Sequence, residues 1–261
     1  NPKKNLFCRR NWLNKNRKKI KKMNILVSGV SRGVGIAICK KILAEGHSVY
    51  GISRTHSDEV KELQAQFPNQ FFFYSFDLSD TENVRKEIFK NFLNQISLDA
   101  LVNNAAMAYD DIITNLNYEE LLKMYQVNVF SPMMMTKYAI RNMILNHKQG
   151  SIIHISSISA HTGYKGLAMY ASSKGALEAF SKNTAREWGG KKIRSNVVVP
   201  GFMDTAMSAT LSDEQKDRIY KRTSLKEATD VDSVADTVSF LLSDGAKSIT
   251  GQCIFVDSGT I

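Results

Sequence analysis

The chain is poor in the residues that would make it a disulfide-stapled, metal-bound or membrane-embedded protein. Its three cysteines, Cys8, Cys39 and Cys253, have no paired spacing, and the last two sit in apolar element patterns. That excludes a disulfide framework and points to a reducing compartment, so a cytoplasmic location is expected. The five histidines (47, 56, 147, 154 and 161) show no ligand spacing, and no metal site is expected. No apolar run approaches the ~20 residues of a membrane-spanning helix. Nor does any Pro/Gly/Ser-rich linker, repeat or low-complexity tract divide the chain after Met23, which argues for one domain although the length permits two.

Acids are missing from one place. The first 22 residues hold ten Lys/Arg and no Asp or Glu, so the rest balances 25 bases against 25 acids and the net charge of +10 belongs to this leader. A neutral body does not track nucleic acid, and no such partner is expected. The leader lacks the apolar segment of a secretory signal, and it lacks the serine content and amphipathicity of organelle presequences. It is expected to be a disordered or appended extension before a start at Met23, with a targeting or anion-binding arm as the alternative. Residues 23–261 then form the domain.

The chemistry is concentrated in two stretches. Tyr170 and Lys174 stand four apart in Tyr170-Ala171-Ser172-Ser173-Lys174, with Ser157 upstream. The spacing of Leu177, Phe180, Thr184 and Trp188 predicts a helix over 168–188, which puts phenol and ammonium on one face, roughly 5–6 Å apart at Cβ. A hydride delivered to a carbonyl carbon leaves an alkoxide that needs a proton as it forms. Bringing a tyrosine down from about 10 by ~3 units costs roughly 4 kcal/mol. A cation ~4 Å away, at an effective dielectric near 20, supplies a similar amount. Lys174 is therefore expected to acidify Tyr170, while Ser157 hydrogen-bonds the substrate oxygen. A solvated helix pair is the bland alternative.

The second stretch is near the amino end. Asn24-Ile25-Leu26-Val27 reads as a buried strand running into Ser28-Gly29-Val30-Ser31-Arg32-Gly33-Val34-Gly35, then into an apolar helix with Ile36, Ile38, Ile42 and Leu43. Glycines there permit a tight turn and a close backbone approach to a pyrophosphate at a helix N-terminus. A loop without chemistry is the alternative. Strand-like runs at 24–28, 48–53, 71–76, 100–103, 151–156, 195–199 and 252–257 alternate with helical patterns, one of them long, from Tyr118 to Leu145. Such alternation predicts an α/β, doubly wound, Rossmann-like single domain whose parallel seven-stranded sheet carries helices on both faces.

Together the two stretches resemble the short-chain dehydrogenase/reductase family over 23–261. The resemblance implies a catalytic set of Asn128, Ser157, Tyr170 and Lys174, with Asn128 of Tyr125-Gln126-Val127-Asn128-Val129 holding a proton-relay water near the lysine. It implies a cofactor bed made by Ser28, Gly29, Ser31, Arg32, Gly33, Val34 and Gly35, with Asp77 and Leu78 beside the adenine. The bed continues through Asn104 and Ala105 of Asn103-Asn104-Ala105-Ala106 and through Pro200, Gly201, Met203 and Thr205 at the nicotinamide, with Tyr170 and Lys174 also touching the cofactor. Two positions depart from the family pattern. Ala106 replaces the usual glycine, and Ser28 replaces a threonine while keeping the hydroxyl.

Cofactor choice follows from charge at the end of the second strand. An NAD-type protein places Asp or Glu there to bond the ribose 2′-hydroxyl; here the position is Ser53, followed by Arg54, with Arg32 nearby in the glycine turn. Two guanidinium groups around one phosphate predict NADP(H). Two solvated surface arginines are the alternative.

Within the family, the wording around Pro200-Gly201-Phe202, through the lid-like stretch 202–229 centred on 211–216, to Ile249-Thr250-Gly251-Gln252 is similar to that of 3-oxoacyl-[acyl-carrier-protein] reductases. That likeness implies NADPH-dependent reduction of a 3-oxoacyl thioester in fatty acid synthesis. It also implies an acidic carrier protein received at Lys148 and Lys191, with Lys192 and Arg194 extending a basic rim. A small polar ketone or sugar is the alternative substrate, and a non-catalytic dinucleotide-binding regulator is the alternative of another class. Met133-Met134-Met135 reads as core or interface packing on a helix that the family uses in homotetramers, with an adaptable ligand surface as the alternative, and His161 as a loop residue facing water, with a place bordering the substrate as the alternative.

Overall fold

The computed structural model describes residues 22–204 and 212–261. The expectations for the leader up to residue 21 and for Thr205 lie outside the described residues. In chain order the elements are β1 (Asn24–Ser28), α1 (Gly33–Ala44), β2 (Ser48–Ser53), α2 (Asp58–Gln66), β3 (Phe71–Ser75), a π-helical segment Val84–Phe92 and β4 (Ala100–Asn103). There follow α3 (Tyr118–Tyr125), a second π-helical segment Gln126–Phe130, α4 (Ser131–Leu145), β5 (Gly150–Ile155), α5 (Ala168–Trp188) and β6 (Ile193–Pro200). The chain ends with α6 (Asp213–Tyr220), α7 (Val231–Leu242) and β7 (Cys253–Val256).

All seven expected strands are present in one parallel sheet of order β3-β2-β1-β4-β5-β6-β7. Their continuous apolar runs follow from being covered on both faces. Along β1, Ile25 and Val27 belong to the core packed under α1 and α7, whereas Leu26 belongs to the opposite core with Ile88, Met135 and Met143. The same alternation divides Val49 from Tyr50 and Ile153 from Ile152. This is the two-residue period of a strand with two buried faces.

One expected element is different. The pattern from Tyr118 to Leu145 is not one α-helix, because the π-helical segment Gln126–Phe130 separates α3 from α4. Single π turns inside helices tend to mark functional positions, and this one contains Asn128. The strand order reverses between β1 and β4, so connections diverge to opposite faces and leave a crevice at the carboxyl ends of the strands. Ser28, Asn103, Ile155 and Pro200 end the four strands that border it.

Candidate active site

Helix α5 carries the central pair. Its buried stripe is unusually polar, with Ser173, Lys174, Glu178, Ser181 and Thr184 all facing inward. Lys174 is almost fully buried, at 2% exposure, and its Nζ donates to the carbonyl of Ile155 at 2.9 Å. Burial lowers the ammonium to about 8, which leaves it charged at neutral pH. The same Nζ lies 5.6 Å from the centre of the Tyr170 ring.

The helical pairing is therefore present, but the expected acidification is not. Loss of hydration pushes the Tyr170 phenol up to about 12, opposed by its hydrogen bond with Ser157 and reinforced by the nearby carboxylate of Asp110. Burial outweighs whatever the ammonium contributes from beside the ring, where it is itself bonded to the Ile155 carbonyl. Ser157 begins a short 3-10 turn (Ile158–Ala160), where its hydroxyl accepts from the Ser159 amide at 3.2 Å. That turn holds the hydroxyl against the phenol.

Asn128 is completely buried. Its Oδ1 accepts from the Met107 amide at 2.9 Å, and its Nδ2 donates to the Met107 carbonyl at 2.9 Å and to Ser173 Oγ at 3.1 Å. None of these side-chain bonds goes to Lys174. The carboxamide clamps the loop after β4 to α5, and the π turn is what aims it there.

The glycine turn fits a dinucleotide phosphate on grounds of its own geometry. Helix α1 begins with no side-chain cap at Arg32 and no acid in its first turn, so its first N–H groups and positive dipole end face outward without competition. Gly29, at φ +74°, allows the close approach of the β4 loop: a Cβ there would lie 2.7 Å from Ala105 Cα. Ser28 Oγ accepts from the Asn104 and Ala105 amides, each at 3.1 Å, and Asn104 Nδ2 donates to the carbonyls of Ser28 and Gly29, each at 3.0 Å. Those side chains shape the turn, in which Ser31 precedes the helix and Gly33, Val34 and Gly35 make its first turn.

At the β2 end, the Ser53 hydroxyl donates to the Thr55 carbonyl at 2.9 Å, and Ser57 Oγ donates to the Ser31 carbonyl at 2.7 Å. The second bond ties the loop after β2 to the glycine turn, bringing Arg32 and Arg54 to one edge. Arg32 is exposed, and Arg54, 67% exposed in its side chain, lies 4.0 Å from Asp77 Oδ2. Leu78 is buried beneath. Pro200 ends β6, and Gly201 abuts Asp257 so closely that a Cβ would stand 2.7 Å from its Cα. Met203 packs against the α1/α7 core.

Other expected surface groups are differently placed. Lys148 forms a 2.8 Å ion pair with the buried Asp99, Arg194 donates to the carbonyls of Leu241 and Ile249, and Lys191 and Lys192 are exposed. Arg194 is thus committed to the fold and not to a rim. His161 does not simply face water: its Nε2 is 2.9 Å from Glu178. Glu178 and Asp110 escaped the sequence reading. For Glu178 a signal existed, since Tyr170, Lys174 and Glu178 recur every fourth residue on one face; Asp110 is a loop acid with no local pattern to mark it.

Known proteins resemble about nine-tenths of the chain. Residues 29–260 match a family model described as enoyl-(acyl carrier protein) reductase. A 3-oxoacyl-[acyl-carrier-protein] reductase of Buchnera aphidicola subsp. Acyrthosiphon pisum is 32% identical over 240 residues, covering 92% of this chain and 98% of the relative. Its counterpart in Chlamydia trachomatis is 34% identical over 238 residues, covering 90% and 95%. The fold is shared with a 4-hydroxyisoleucine dehydrogenase complexed with NADH, at TM-score 0.86 and 24% identity over 92% of this chain and 98% of that one. It is shared too with a gluconate 5-dehydrogenase from Burkholderia cenocepacia in complex with NADP and tartrate, at TM-score 0.85 and 24% identity over 91% and 94%.

Proposed function

The chain belongs to the short-chain dehydrogenase/reductase family and is an oxidoreductase that uses a nicotinamide dinucleotide; from that premise we propose that it reduces 3-oxoacyl thioesters with NADPH. The observation that carries the chemistry is the convergence of Ser157, Tyr170 and Lys174 at the carboxyl end of the sheet. Bound in the crevice, a reduced nicotinamide supplies the hydride. Ser157 hydrogen-bonds the carbonyl oxygen and stabilises the charge that develops there. Tyr170 donates the proton; a phenol raised to about 12 is fully protonated at neutral pH, and an alkoxide is basic enough to take its proton. Lys174 holds a positive charge beside the ring and steadies the phenolate left behind.

The uncapped turn at Gly29–Gly35, with no acid in the first turn of α1, supports phosphate binding, and Arg32 and Arg54 without an acid at Ser53 support NADP(H) over NAD(H). The 3-oxoacyl substrate rests on the names of relatives that match more than nine-tenths of their own length. The carrier protein of those names is acidic in the reading adopted here and docks beside Lys148 and Lys191, with the exposed Lys192. The protein is a cytoplasmic homotetramer in this reading. Asp110 favours a second reading: a carboxylate near Tyr170 suits a hydroxylated small ketone or sugar better than an anionic one.

The deciding experiment is a substrate panel of acetoacetyl thioesters, simple ketones and keto sugars with NADPH and NADH. Tyr170→Phe runs beside the wild type. Turnover of the thioesters should exceed the rest and vanish in Tyr170→Phe while NADPH still binds. Wild-type turnover in that variant would remove Tyr170 as the donor, and preference for a keto sugar would promote the second reading.

A further inference from the structure

Beyond the three converging groups lies a buried carboxylate that the chemistry above does not use. Glu178 is only 7% exposed, and a buried charge persists only when hydrogen bonds or opposite charges replace its water. Its Oε1 accepts from Ser156 Oγ at 2.6 Å, its Oε2 lies 2.9 Å from His161 Nε2, and the Cys253 thiol approaches Oε2 at 3.7 Å. Phe255 braces the His161 ring edge-on at 4.8 Å.

The partners are informative by position. Ser156 immediately precedes Ser157, and His161 closes the 3-10 turn that Ser157 opens. Two side chains therefore reach one carboxylate from either side of Ser157. The carboxylate stands on α5, four residues after Lys174 and eight after Tyr170, on the same face. Ser156 Oγ is also 3.5 Å from the Lys174 carbonyl. The main chain of Ser156 is pinned to β6 through the Val198 carbonyl at 2.8 Å, so the turn beyond it depends on side chains for its angle to the helix.

We propose that Glu178 is a positioning residue for the reduction: its carboxylate fastens the turn bearing Ser157 to the helix bearing Tyr170 and Lys174, and so sets the distance between the hydrogen bond to the carbonyl oxygen and the proton donor. The inference rests on the reading of Ser157, Tyr170 and Lys174 as the reducing site. Misplacement of reacting groups by about 1 Å from a distant change costs on the order of 100-fold in rate, so the loss of this clamp has a readable consequence.

Glu178→Gln keeps the size and one acceptor oxygen, and Ser156→Ala removes one donor while leaving the carboxylate. With acetoacetyl-coenzyme A and NADPH, each should lower kcat by roughly 10- to 100-fold, with the Kd for NADPH, followed by fluorescence, within about twofold of wild type. Because the two act as one unit, the double variant should be no slower than the slower single. Amide exchange at 159–161 should quicken by about tenfold or more in Glu178→Gln while β1 amides are unchanged. A kcat for Glu178→Gln within twofold of wild type, whatever its melting temperature, would overturn the proposal, as would unchanged exchange in that turn. If Glu178→Gln fails to bind NADPH, Ser156→Ala decides by the same criteria. A wild type that reduces no carbonyl counts against the proposed function, and the exchange rates alone then decide the clamp.

Discussion

A phenol at about 12 stands almost wholly in its protonated form at neutral pH, with very little phenolate present, and this asymmetry sets the expected pH behaviour of the site. In the reducing direction Tyr170 holds its proton throughout the neutral range. Lys174, lowered to about 8 by burial, loses its charge as pH rises through that value. Steady-state reduction should thus be level below about pH 8 and decline above it; in the oxidising direction, where the phenolate is the base, rates should climb with pH instead. Rate profiles measured both ways that are flat between pH 7 and 10 would contradict these assignments. Cofactor choice is decided at the same scale. Arg54→Ala should weaken NADPH binding by about 1.5–3 kcal/mol, the worth of a charge-assisted bond, and leave NADH nearly unaffected; equal wild-type affinities for the two cofactors would count against Arg54. The pairing of Tyr170 with Lys174 was legible because Tyr170-x-x-x-Lys174 follows helical spacing. The titration of Tyr170 was not, because spacing reports which side chains are neighbours and says nothing of how far the fold strips a phenol of its water.

At the scale of elements, the π-helical segment and β5 each bear a testable load. Asn128→Ala would take the partner from both the amide and the carbonyl of the half-buried Met107, at about 1–3 kcal/mol for each group left unsatisfied, while the Ser173 hydroxyl keeps its bond to the Tyr170 carbonyl. A melting temperature lowered by several degrees is expected, together with reduced turnover; a variant as stable and active as wild type would show the clamp to be dispensable. On β5, the fully buried His154 is lowered to about 3 by loss of hydration, with Lys174 adding to it, so it is neutral when folded. The unfolded chain takes up its proton near 6.5. Between those values the unfolded state binds more protons, so stability is full above about pH 6.5 and is lost as pH falls towards 3, by at most about 1.4 kcal/mol per pH unit from this group. Urea titrations at pH 7 and 5 should show a smaller loss in His154→Asn than in wild type. Strands such as β1 were legible from their apolar runs. The break between α3 and α4 was not, because a π-helical segment of five residues is too short for its own period to be told apart from that of the flanking helices.

For the molecule as a whole, charge and topology govern what it meets and how it forms. Lys148 is held by Asp99, so reversing it would put two carboxylates together and damage the fold. Lys191→Glu/Lys192→Glu alters only exposed groups. That variant should slow reduction of carrier-bound 3-oxoacyl groups at low salt, with the deficit shrinking as salt is added, and leave acetoacetyl-coenzyme A untouched. Equal rates on both substrates would place carrier docking elsewhere. The doubly wound topology was legible from the alternation of runs, whereas the fate of Lys148 depended on Asp99, far away in sequence and brought beside it by the pairing of β4 with β5. The same sheet order has a further result, felt while the chain is being made. β1 lies at the middle of the sheet, with Ile25 paired to Ala100. A ribosome adding about 5–20 residues per second takes roughly 4–15 s to travel from one to the other. Until then one side of β1 is an open edge that carries the apolar run Ile25-Leu26-Val27, so nascent chains are most exposed to aggregation, and most in need of a chaperone, before Asn103 emerges.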